Sequence, residues 1–264
     1  ADLLLSFDIE EFDLPEEFGV PVPESDRMTI PAEGTARILD VLKEKKVRAT
    51  FFVTAFFAER APELIARMVA ENHEIASHGL NHSFFEAEHL AKSKEILEKI
   101  SGREVVGFRM ARLAPVAKKA IRDAGYVYES SLNPVWLPGR YNHFGAPLLP
   151  FDDEGGLRQY PVSALPFFRV PLFWLRFKNF PFFLYRALII SAVRRTGYFN
   201  VYTHPWEYSG RSAEKKWCIP PYITRHAGEA MVQRLGALTD ALAGFGNFRT
   251  FRENFADHEK DGSR

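Results

Sequence analysis

The sequence predicts an α/β fold in one domain, in which a parallel sheet closes into a (β/α) barrel, either regular or distorted. Short β-rich runs alternate with helical patterns of about 10–15 residues, which is the pattern of βαβ units. Seven or eight such units can be counted, and this number favours a barrel over an open doubly wound sheet. No G-x-G-x-x-G or phosphate-binding loop follows a strand, which argues against a nucleotide-binding domain.

In the first half of the chain, the strands are short apolar runs and the helices carry their apolar residues on one side. The predicted elements are, in order, a strand over Leu3–Asp8, a helix over Thr35–Lys46 with Ile38, Leu39 and Leu42 on one side, a strand over Ala49–Thr54, a helix over Pro62–Asn72 with Leu64, Ile65, Met68 and Val69 on one side, a strand over Glu74–Ser77, a helix over Glu86–Ile100, a strand over Val105–Arg109, and a helix over Pro115–Ala124 that ends at Gly125.

In the second half, the alternation is interrupted and then resumes near the C-terminus. The predicted elements there are strands over Tyr126–Ser130, Leu157–Val162 and Tyr198–Thr203, a helix over Ala227–Leu242, and a strand over Phe248–Phe251. The chain contains neither an internal repeat nor a low-complexity linker, so residues 1–264 are predicted to form a single domain.

The composition excludes several classes of protein. Among the 264 residues, 46% are hydrophobic and 26% charged, which is typical of a folded globular protein and not of a disordered one. The 34 basic and 34 acidic side chains balance, which argues against a nucleic-acid binder. Cys218 is the single cysteine, so neither an intrachain disulfide nor a cysteine metal cage is expected. Residues Ala1–Phe7 lack the features of a secretory signal, which favours a cytoplasmic protein.

Polar side chains follow several of the predicted strands, where barrel enzymes place their functional groups. They are Asp8, Glu10, His78, His82, Arg109 and His204. Two acids, three histidines and one arginine at one rim form the inventory of a hydrolytic metal site. Thr54 and Glu129 are the other polar residues at strand ends.

The histidine pair has two interpretations. If the chain turns into a helix after the third strand, His78 and His82 share a face at i and i+4 and can reach one ion. The alternative is a pair of surface or capping histidines. His204 likewise can be a buried structural histidine, and Arg109 can be a salt-bridged rim residue.

The acidic pair follows an apolar strand, and alternation directs Asp8 and Glu10 to the same side while Ile9 packs away. Two adjacent carboxylates are costly unless a cation lies between them or one is protonated. The alternative is an acidic loop that continues through Glu11 and Asp13.

A serine or cysteine nucleophile is not indicated. The chain has no Gly-x-Ser-x-Gly motif, and Cys218 lies in a Trp-Cys-Ile-Pro loop without a motif around it.

In their order along the chain, these motifs resemble the polysaccharide deacetylase family (NodB homology, carbohydrate esterase family 4). The motifs are S-F-D-I-E, S-H-G-L-N-H, G-F-R-M-A, G-Y-V-Y-E-S-S and Y-T-H-P, and the resemblance spans roughly Leu3 to Phe251. It implies a distorted (β/α)7 barrel that removes N- or O-acetyl groups from glycans with a divalent metal. The stretch W-L-P-G-R-Y-N-H at 136–143 resembles the bacterial surface-glycan branch.

The chain departs from the common motifs at three places. Ile9 replaces the second of two adjacent aspartates, and Glu10 fits the longer spacing of a D-x-D variant. Arg109-Met110-Ala111 lacks the proline of R-x-P, and Glu129 stands where an aspartate is more usual.

The resemblance implies a role for each candidate residue. Glu10, His78 and His82 would bind the metal, and two nitrogens with one carboxylate oxygen suit Zn²⁺, with Co²⁺ and Ni²⁺ as alternatives. Asp8 would be the base, oriented by Arg109, and protonated His204 would be the acid toward the leaving group. The expected substrate is an acylated glycan, N-acetyl before O-acetyl, in a bacterial surface polysaccharide or its lipid-linked precursor. The alternatives are deformylation of a lipid-linked amino sugar and a catalytically silent carbohydrate-binding barrel.

A basic and aromatic segment covers about residues 155–206. It contains seven basic residues, no acidic residue and many aromatic side chains. This composition is typical of an element on an anionic bilayer, so residues 166–195 are predicted to contact the inner membrane surface. The alternatives are a core helix preceded by a loop that caps the barrel, with arginines directed outward, and a homo-oligomer surface.

Overall fold

The structure, a computed structural model, describes residues 1–137 and 141–262. Of the motif at 136–143, residues 138–140 thus lie outside the described part. The strands are β1 (Asp2–Ile9), β2 (Thr50–Val53), β3 (Glu74–Ser77), β4 (Gly107–Phe108), β5 (Tyr128–Glu129), β6 (Trp136–Leu137), β7 (Tyr141–Asn142), β8 (Phe151–Asp152), β9 (Arg158–Gln159), β10 (Tyr198–Thr203) and β11 (Asn247–Arg249). The helices are α1 (Glu24–Lys45), α2 (Ala55–Arg60), α3 (Pro62–Ala70), α4 (Glu88–Ser101), α5 (Lys118–Asp123), α6 (Trp174–Asn179), α7 (Phe182–Thr196), α8 (Pro221–Thr224), α9 (Glu229–Leu242) and α10 (Phe251–Gly262).

Seven parallel strands are paired in the order β10-β1-β2-β3-β4-β5-β9, and β8 adds an antiparallel edge. β11 pairs with the first three residues of β1, whereas β2 pairs with its last four. The sheet curls back on itself, because the chain after β9 reaches β10. There the Ser163 N–H donates to the carbonyl of Asn200 at 2.9 Å, and the Tyr198 hydroxyl donates to the carbonyl of Pro161 at 2.8 Å. The predicted fold class, a distorted (β/α)7-type barrel, is confirmed.

The alternation of β1 separates the two sides of the sheet. Leu3, Leu5, Phe7 and Ile9 belong to the large core between the sheet and the surrounding helices. The intervening side chains face the barrel interior, where Leu4 belongs to a separate apolar cluster and where Ser6 and Asp8 contact Arg109. One strand therefore supplies both the outer core and the polar axis of the barrel.

The lower part of the barrel interior is closed by aromatic rings. Phe251, the first residue of α10, packs against Phe52, Tyr128 and Tyr160 with ring centroids 5.0–5.7 Å apart. All four side chains are buried. Above this layer, the Arg109 guanidinium lies 4.0 Å from the centroid of Phe52. The interior is thus a packed core, with its polar groups above the aromatic layer.

The first helix is longer than predicted, because α1 begins at Glu24 and not at Thr35. Pro31 lies within it and cannot donate to the carbonyl of Arg27, four residues earlier. That carbonyl instead accepts from the Phe12 N–H at 2.9 Å. A contact from a distant part of the chain thus permits a helix that the local sequence disfavours.

The helices that were not predicted include α2 and α10. α2 begins after Thr54, whose hydroxyl accepts from the Phe57 N–H at 3.2 Å as an N-cap. α10 begins at Phe251, which the sequence analysis assigned to a strand. Thr250 and Glu253 exchange side chain–backbone hydrogen bonds of 3.0 and 3.2 Å, which is the capping box that starts this helix.

The basic aromatic segment is divided between core and surface. Phe173, Trp174, Phe177 and Tyr185 are buried in the packing of α6 and α7. Other large apolar side chains of the same segment are exposed, and they are Phe167, Phe168, Phe183 and Leu184. Within the described residues, no helix has both the length and the apolar character needed to cross a bilayer.

Candidate metal centre and cleft

A cleft of about 100 Å³ opens where the carboxyl ends of β1 and β10 meet the loop after β3. The residues that line it include Asp8, Glu10, His82, Trp174 and His204. The structure therefore brings together, in and beside one cleft, the six residues that were singled out at strand ends, since His78 contacts Glu10 and Arg109 contacts Asp8.

Three of these residues present donor atoms to a common point. The Glu10 Oε2 atom lies 3.3 Å from Nε2 of His78 and 3.1 Å from Nε2 of His82. All three side chains are buried, and their ligand atoms lie within 4.8 Å of one another. One other such group occurs in the described residues, at Glu86, Glu88 and His89, but its two glutamates are exposed.

The two histidines do not share a helix, so that part of the prediction was wrong. Residues 78–87 form a loop between β3 and α4. Gly79 turns this loop with a φ of +92°, a conformation that disfavours a side chain and is incompatible with a helix. The rings nevertheless stack, with centroids 6.0 Å apart and planes inclined by 18°. The glycine turn, and not helical periodicity, brings both Nε2 atoms to Glu10.

Each histidine is fixed through its other nitrogen. His78 Nδ1 donates to the backbone carbonyl of Arg109 at 2.9 Å, which leaves Nε2 as the nitrogen with a free lone pair. His82 Nδ1 contacts both carboxylate oxygens of Asp13, at 2.8 and 2.9 Å. The Ser83 hydroxyl also donates to Asp13. A carboxylate or carbonyl behind a ligating histidine is the usual support of a metal site.

These donors fit a single divalent ion. Zn²⁺ bonds to histidine nitrogen and carboxylate oxygen at about 2.0–2.2 Å, so two ligands of a tetrahedral ion lie roughly 3.3 Å apart. The Nε2 atom of His78 is buried and has no hydrogen-bond partner, as expected of an atom that requires an ion. The donor set of two nitrogens and one oxygen also leaves coordination positions open to the cleft.

The charges of the trio are strongly coupled. Burial alone would raise the pKa of Glu10, but the attraction of the neighbouring histidines, first of all His82 and then His204, outweighs it, and the pKa is lowered. Burial would lower the pKa of His82, yet Glu10 and Asp13 raise it to about 9. Because a metal requires neutral imidazole, binding of the ion at neutral pH would release a proton from His82.

Asp8 lies beside the trio and is held by Arg109. A guanidinium nitrogen donates to Asp8 Oδ1 at 2.6 Å, and both side chains are buried. The remaining donors of Arg109 reach the Ser6 hydroxyl at 3.0 Å and the carbonyl and hydroxyl of Ser130 at 2.8 and 2.9 Å. The carboxylate is therefore oriented by a guanidinium that is itself fixed from three sides.

His204 faces the cleft from the end of β10. Its Nδ1 contacts Oε1 of Glu207 at 2.9 Å, and Oε2 of Glu207 lies 3.0 Å from Nζ of Lys178, with Glu207 and Lys178 fully buried. The His204 ring stacks on Trp206 at 5.1 Å and meets Trp174 edge-on at 5.0 Å.

The surroundings of His204 favour its protonated form. Burial would lower the pKa of His204, but the attraction of Glu10 and the hydrogen bond and charge of Glu207 raise it. The arrangement therefore shifts His204 toward its protonated form, which can present a proton to the cleft.

The other polar residues at strand ends lie apart from the trio. Thr54 caps α2 and donates to Glu11 at 3.1 Å. Glu129 is buried and ion-paired with Lys118. Ile9, which stands where the resembled motif has an aspartate, packs in the core between sheet and helices.

Asp13 and Glu207 support the site but were not predicted from the sequence. Asp13 was assigned to an acidic loop, and its position three residues after Glu10 gives no local signal of the contact to His82. Glu207 could have been found, because His204 begins a 3-10 turn over Pro205–Tyr208 and an acid three residues on can cap it.

Comparisons with known proteins point to the family that the sequence resembles. The family model for polysaccharide deacetylase matches residues 26–128. A segment of 48 residues is 52% identical to the chitooligosaccharide deacetylase of Sinorhizobium fredii, which covers 18% of this chain and 22% of that protein. The match spans about a quarter of the length of the first curated relatives.

Two solved structures share the fold. A Mycobacterium smegmatis protein assigned as a polysaccharide deacetylase aligns over 99% of this chain and 91% of its own, with a TM-score of 0.67 and 20% identity. A pseudoenzyme of carbohydrate esterase family 4 from Bacillus anthracis aligns over 95% of this chain and 64% of its own, with a TM-score of 0.51 and 12% identity. The predicted resemblance is confirmed, and one of the solved structures that share the fold is described as a pseudoenzyme.

Proposed function

Given its relationship to the polysaccharide deacetylases, we propose that this protein hydrolyses acetyl groups on a glycan with the help of a divalent metal ion. The observation that supports this most is the position of Glu10 Oε2, 3.3 and 3.1 Å from Nε2 of His78 and His82. Asp8 and His204 line the same cleft. A ligand trio, a base and an acid around one cleft are the parts that hydrolysis of an amide requires.

A divalent ion held by Glu10, His78 and His82 would supply Lewis acidity toward the acyl carbonyl. Asp8 takes the proton of the attacking water, and Arg109 holds that carboxylate in the correct orientation. The three other contacts of Arg109 prevent the pair from rotating away.

His204 gives its proton to the leaving atom of the sugar. An amine is a poor leaving group, so the acid contributes more to amide than to ester hydrolysis. Glu207 stabilises the protonated ring, and Trp174 and Trp206 fix its plane. The presence of such an acid therefore favours an N-acetylated substrate over an O-acetylated one.

The proposed substrate is a bacterial surface polysaccharide or its lipid-linked precursor. The cleft of about 100 Å³ is smaller than an ordinary ligand pocket of about 300–1,000 Å³, which favours entry of the acyl group rather than of the whole sugar. The sugar would thus lie at the open mouth. Because formyl is smaller than acetyl, deformylation of an amino sugar remains the second candidate.

The proposal is tested by measuring acetate and formate release from a panel of N-acetylated, O-acetylated and N-formylated glycans. The protein is stripped with a chelator and reloaded with Zn²⁺, Co²⁺ or Ni²⁺. We expect acetate release that disappears on stripping and returns with metal. Glu10→Gln should lose both bound metal and turnover, while Lys92→Gln, an exposed change on α4, should lose neither.

His204→Ala separates catalysis from binding. It should lower amide hydrolysis by about 10²–10⁴-fold, but should spare an activated ester whose leaving group needs no proton. Equal losses on both substrates would assign His204 a structural role. A metal-loaded wild type that releases neither acid from any glycan would favour the silent carbohydrate-binding barrel.

A further inference from the structure

Two adjacent phenylalanines project from the loop that precedes α6. Phe167 is 80% exposed and Phe168 is 83% exposed. Soluble surfaces rarely expose large apolar side chains side by side, and contiguous groups of them mark sites of interaction. We call Phe167 and Phe168 the aromatic tip.

The backbone holds the aromatic tip outward. A bridge joins Ala164 to Pro171, and the N–H of Leu165 donates to the carbonyl of Val170 at 2.9 Å, so residues 165–170 form a closed hairpin loop. Phe167 and Arg169 have φ angles of 71° and 50°. Side chains other than glycine adopt this region at a cost, and such strain is retained where the surrounding structure or function demands it.

The loop is also anchored from below. The Arg169 guanidinium donates to the carbonyl of Ala146 at 2.6 Å and to that of Pro134 at 3.3 Å. The Arg195 guanidinium lies 5.9 Å from the ring centroid of Phe167. The aromatic tip is therefore a fixed projection that touches the last turn of α7.

The outer face of α7 continues the same character. Phe183 is 72% exposed, and Leu184 is exposed at the same end of the helix. Arg194 and Arg195 are exposed in its last turn, about 18 Å away along the axis. From residue 155 to residue 206 no acidic side chain interrupts this surface.

We infer that the aromatic tip and the outer face of α7 dock this protein on an anionic lipid bilayer. Phenylalanine and leucine side chains insert into the interface, and arginines beside them are attracted to anionic headgroups. An anionic bilayer is favoured over a second copy of this chain, because the matching surface of a second copy carries the same positive charge. The inference goes beyond the proposed function and does not depend on it.

The test is co-sedimentation of the full chain with phosphatidylcholine vesicles, with and without 30% phosphatidylglycerol, at about 0.05 and 0.5 M salt. The wild type should bind the anionic vesicles most strongly at low salt, since screening at high salt weakens the attraction. Binding that is absent from both kinds of vesicle at low salt would overturn the inference.

Two variants separate insertion from attraction. Phe167→Ser with Phe168→Ser should lower partitioning to both kinds of vesicle by at least about tenfold, the loss expected for one buried phenylalanine. Each basic residue near the surface contributes about fivefold to the affinity for anionic vesicles at low salt. Arg194→Gln with Arg195→Gln should therefore lower binding to these vesicles by about 30-fold and remove the preference for them.

Matched controls change the same properties elsewhere. Phe84→Ser removes a phenylalanine that is 57% exposed outside the segment, and Lys92→Gln with Lys99→Gln removes two exposed charges on α4. These variants should bind like the wild type. Equal losses in the controls, or a wild-type dimer that Phe167→Ser with Phe168→Ser converts to a monomer without vesicles, would refute membrane docking.

Discussion

At the scale of single residues, the candidate centre depends on carboxylates that contact the Nδ1 atoms of its histidines. Asp13 contacts Nδ1 of His82, and Glu207 contacts Nδ1 of His204. Both carboxylates are buried, and burial by itself would raise their pKa values. The pKa of Asp13 is nevertheless lowered, mainly by His82, and that of Glu207 is lowered by Lys178 and then by His204. Each carboxylate adds to the effect of Glu10 in raising the pKa of its histidine.

Asp13→Ala should weaken Zn²⁺ binding about 10- to 100-fold, because His82 loses the partner that orients its ring and raises its basicity. Metal affinity measured with a competing chelator checks this. Glu17→Gln is the control, since Glu17 is an exposed acid of the same loop that bonds Arg112 and no histidine. Unchanged affinity in Asp13→Ala would show that His82 does not act as a ligand.

Glu207→Gln should move the alkaline limb of the pH–rate profile to lower pH. Glu207 helps to raise the pKa of His204, so its loss lowers that pKa, and the protonated acid disappears at a lower pH. A limb that stays in place would exclude His204 as the acid.

The same variant needs a second measurement, because it leaves the ammonium of Lys178 buried without its carboxylate. Removal of one partner of a buried pair costs about 3–5 kcal/mol of unfolding free energy. Lys178→Met with Glu207→Gln removes both charges. This double variant should be more stable than Glu207→Gln alone and should show the same shift of the pH–rate profile.

At the scale of secondary structure elements, the acid is positioned by the close approach of α1 to the 3-10 turn Pro205–Tyr208. Gly34 lies within α1, and a Cβ added there would lie 1.8 Å from the carbonyl oxygen of Pro205 and 2.6 Å from its carbon. Both are backbone atoms next to His204, so the contact admits no side chain at position 34.

Gly34→Ala should therefore destabilise the protein by at least about 2 kcal/mol and lower turnover, although alanine is normally favoured by about 1 kcal/mol inside a helix. Chemical denaturation and a deacetylation assay measure the two effects. Gly236→Ala in α9 is the matched control, because its Cβ would meet only Lys45 Cε at 3.5 Å, and it should be neutral or stabilising. Equal stabilisation of both variants would contradict the close contact between Gly34 of α1 and the backbone of Pro205.

Elements that are set by a pattern of neighbouring residues, such as an apolar run or a strict alternation, could be predicted from the sequence. β3 and β10 have the predicted bounds, and the inward and outward sides of β1 follow from alternation. The first turns of α1 could not be predicted, because the carbonyl freed by Pro31 finds its donor in Phe12, which is remote in sequence.

The three candidate metal-binding residues could be predicted from the sequence, but the carboxylates that support them were not. The residue types at strand ends indicated Glu10, His78 and His82, whereas the contact between Asp13 and His82 spans 69 positions and leaves no periodic signal. The capping boxes at Thr250–Glu253 and His204–Glu207 were visible in the sequence and could have been used.

At the scale of the whole molecule, stability should depend on a histidine far from the cleft. His73 precedes β3, accepts from the Ala49 N–H at 3.2 Å and has a buried Nε2 without a hydrogen-bond partner. Burial lowers the pKa of His73 to about 4. The attraction of Glu71 opposes this shift, while Arg67 and Arg48 add smaller effects in the same direction as burial. Folding therefore favours the neutral ring.

The sign of the pH dependence follows. Between about pH 6.5 and 4 the unfolded chain binds a proton at His73 that the folded chain does not, so the free energy of unfolding falls as the pH is lowered. The contribution is fully present above pH 6.5 and amounts to at most about 3 kcal/mol. His73→Asn should flatten this part of the curve in urea titrations at pH 7.5 and 5. Identical slopes in wild type and variant would contradict the assignment.

The buried pair of Asp8 and Arg109 has a consequence for how this fold can lose activity over evolution. Loss of Asp8 alone would leave an unpaired guanidinium inside the barrel, and loss of Arg109 alone would leave an unpaired carboxylate there. A lineage that drifts toward a silent barrel would therefore keep Asp8 and Arg109 or replace them together, even after the ion has gone. Retention of that pair alone is thus no sign of selection for chemistry.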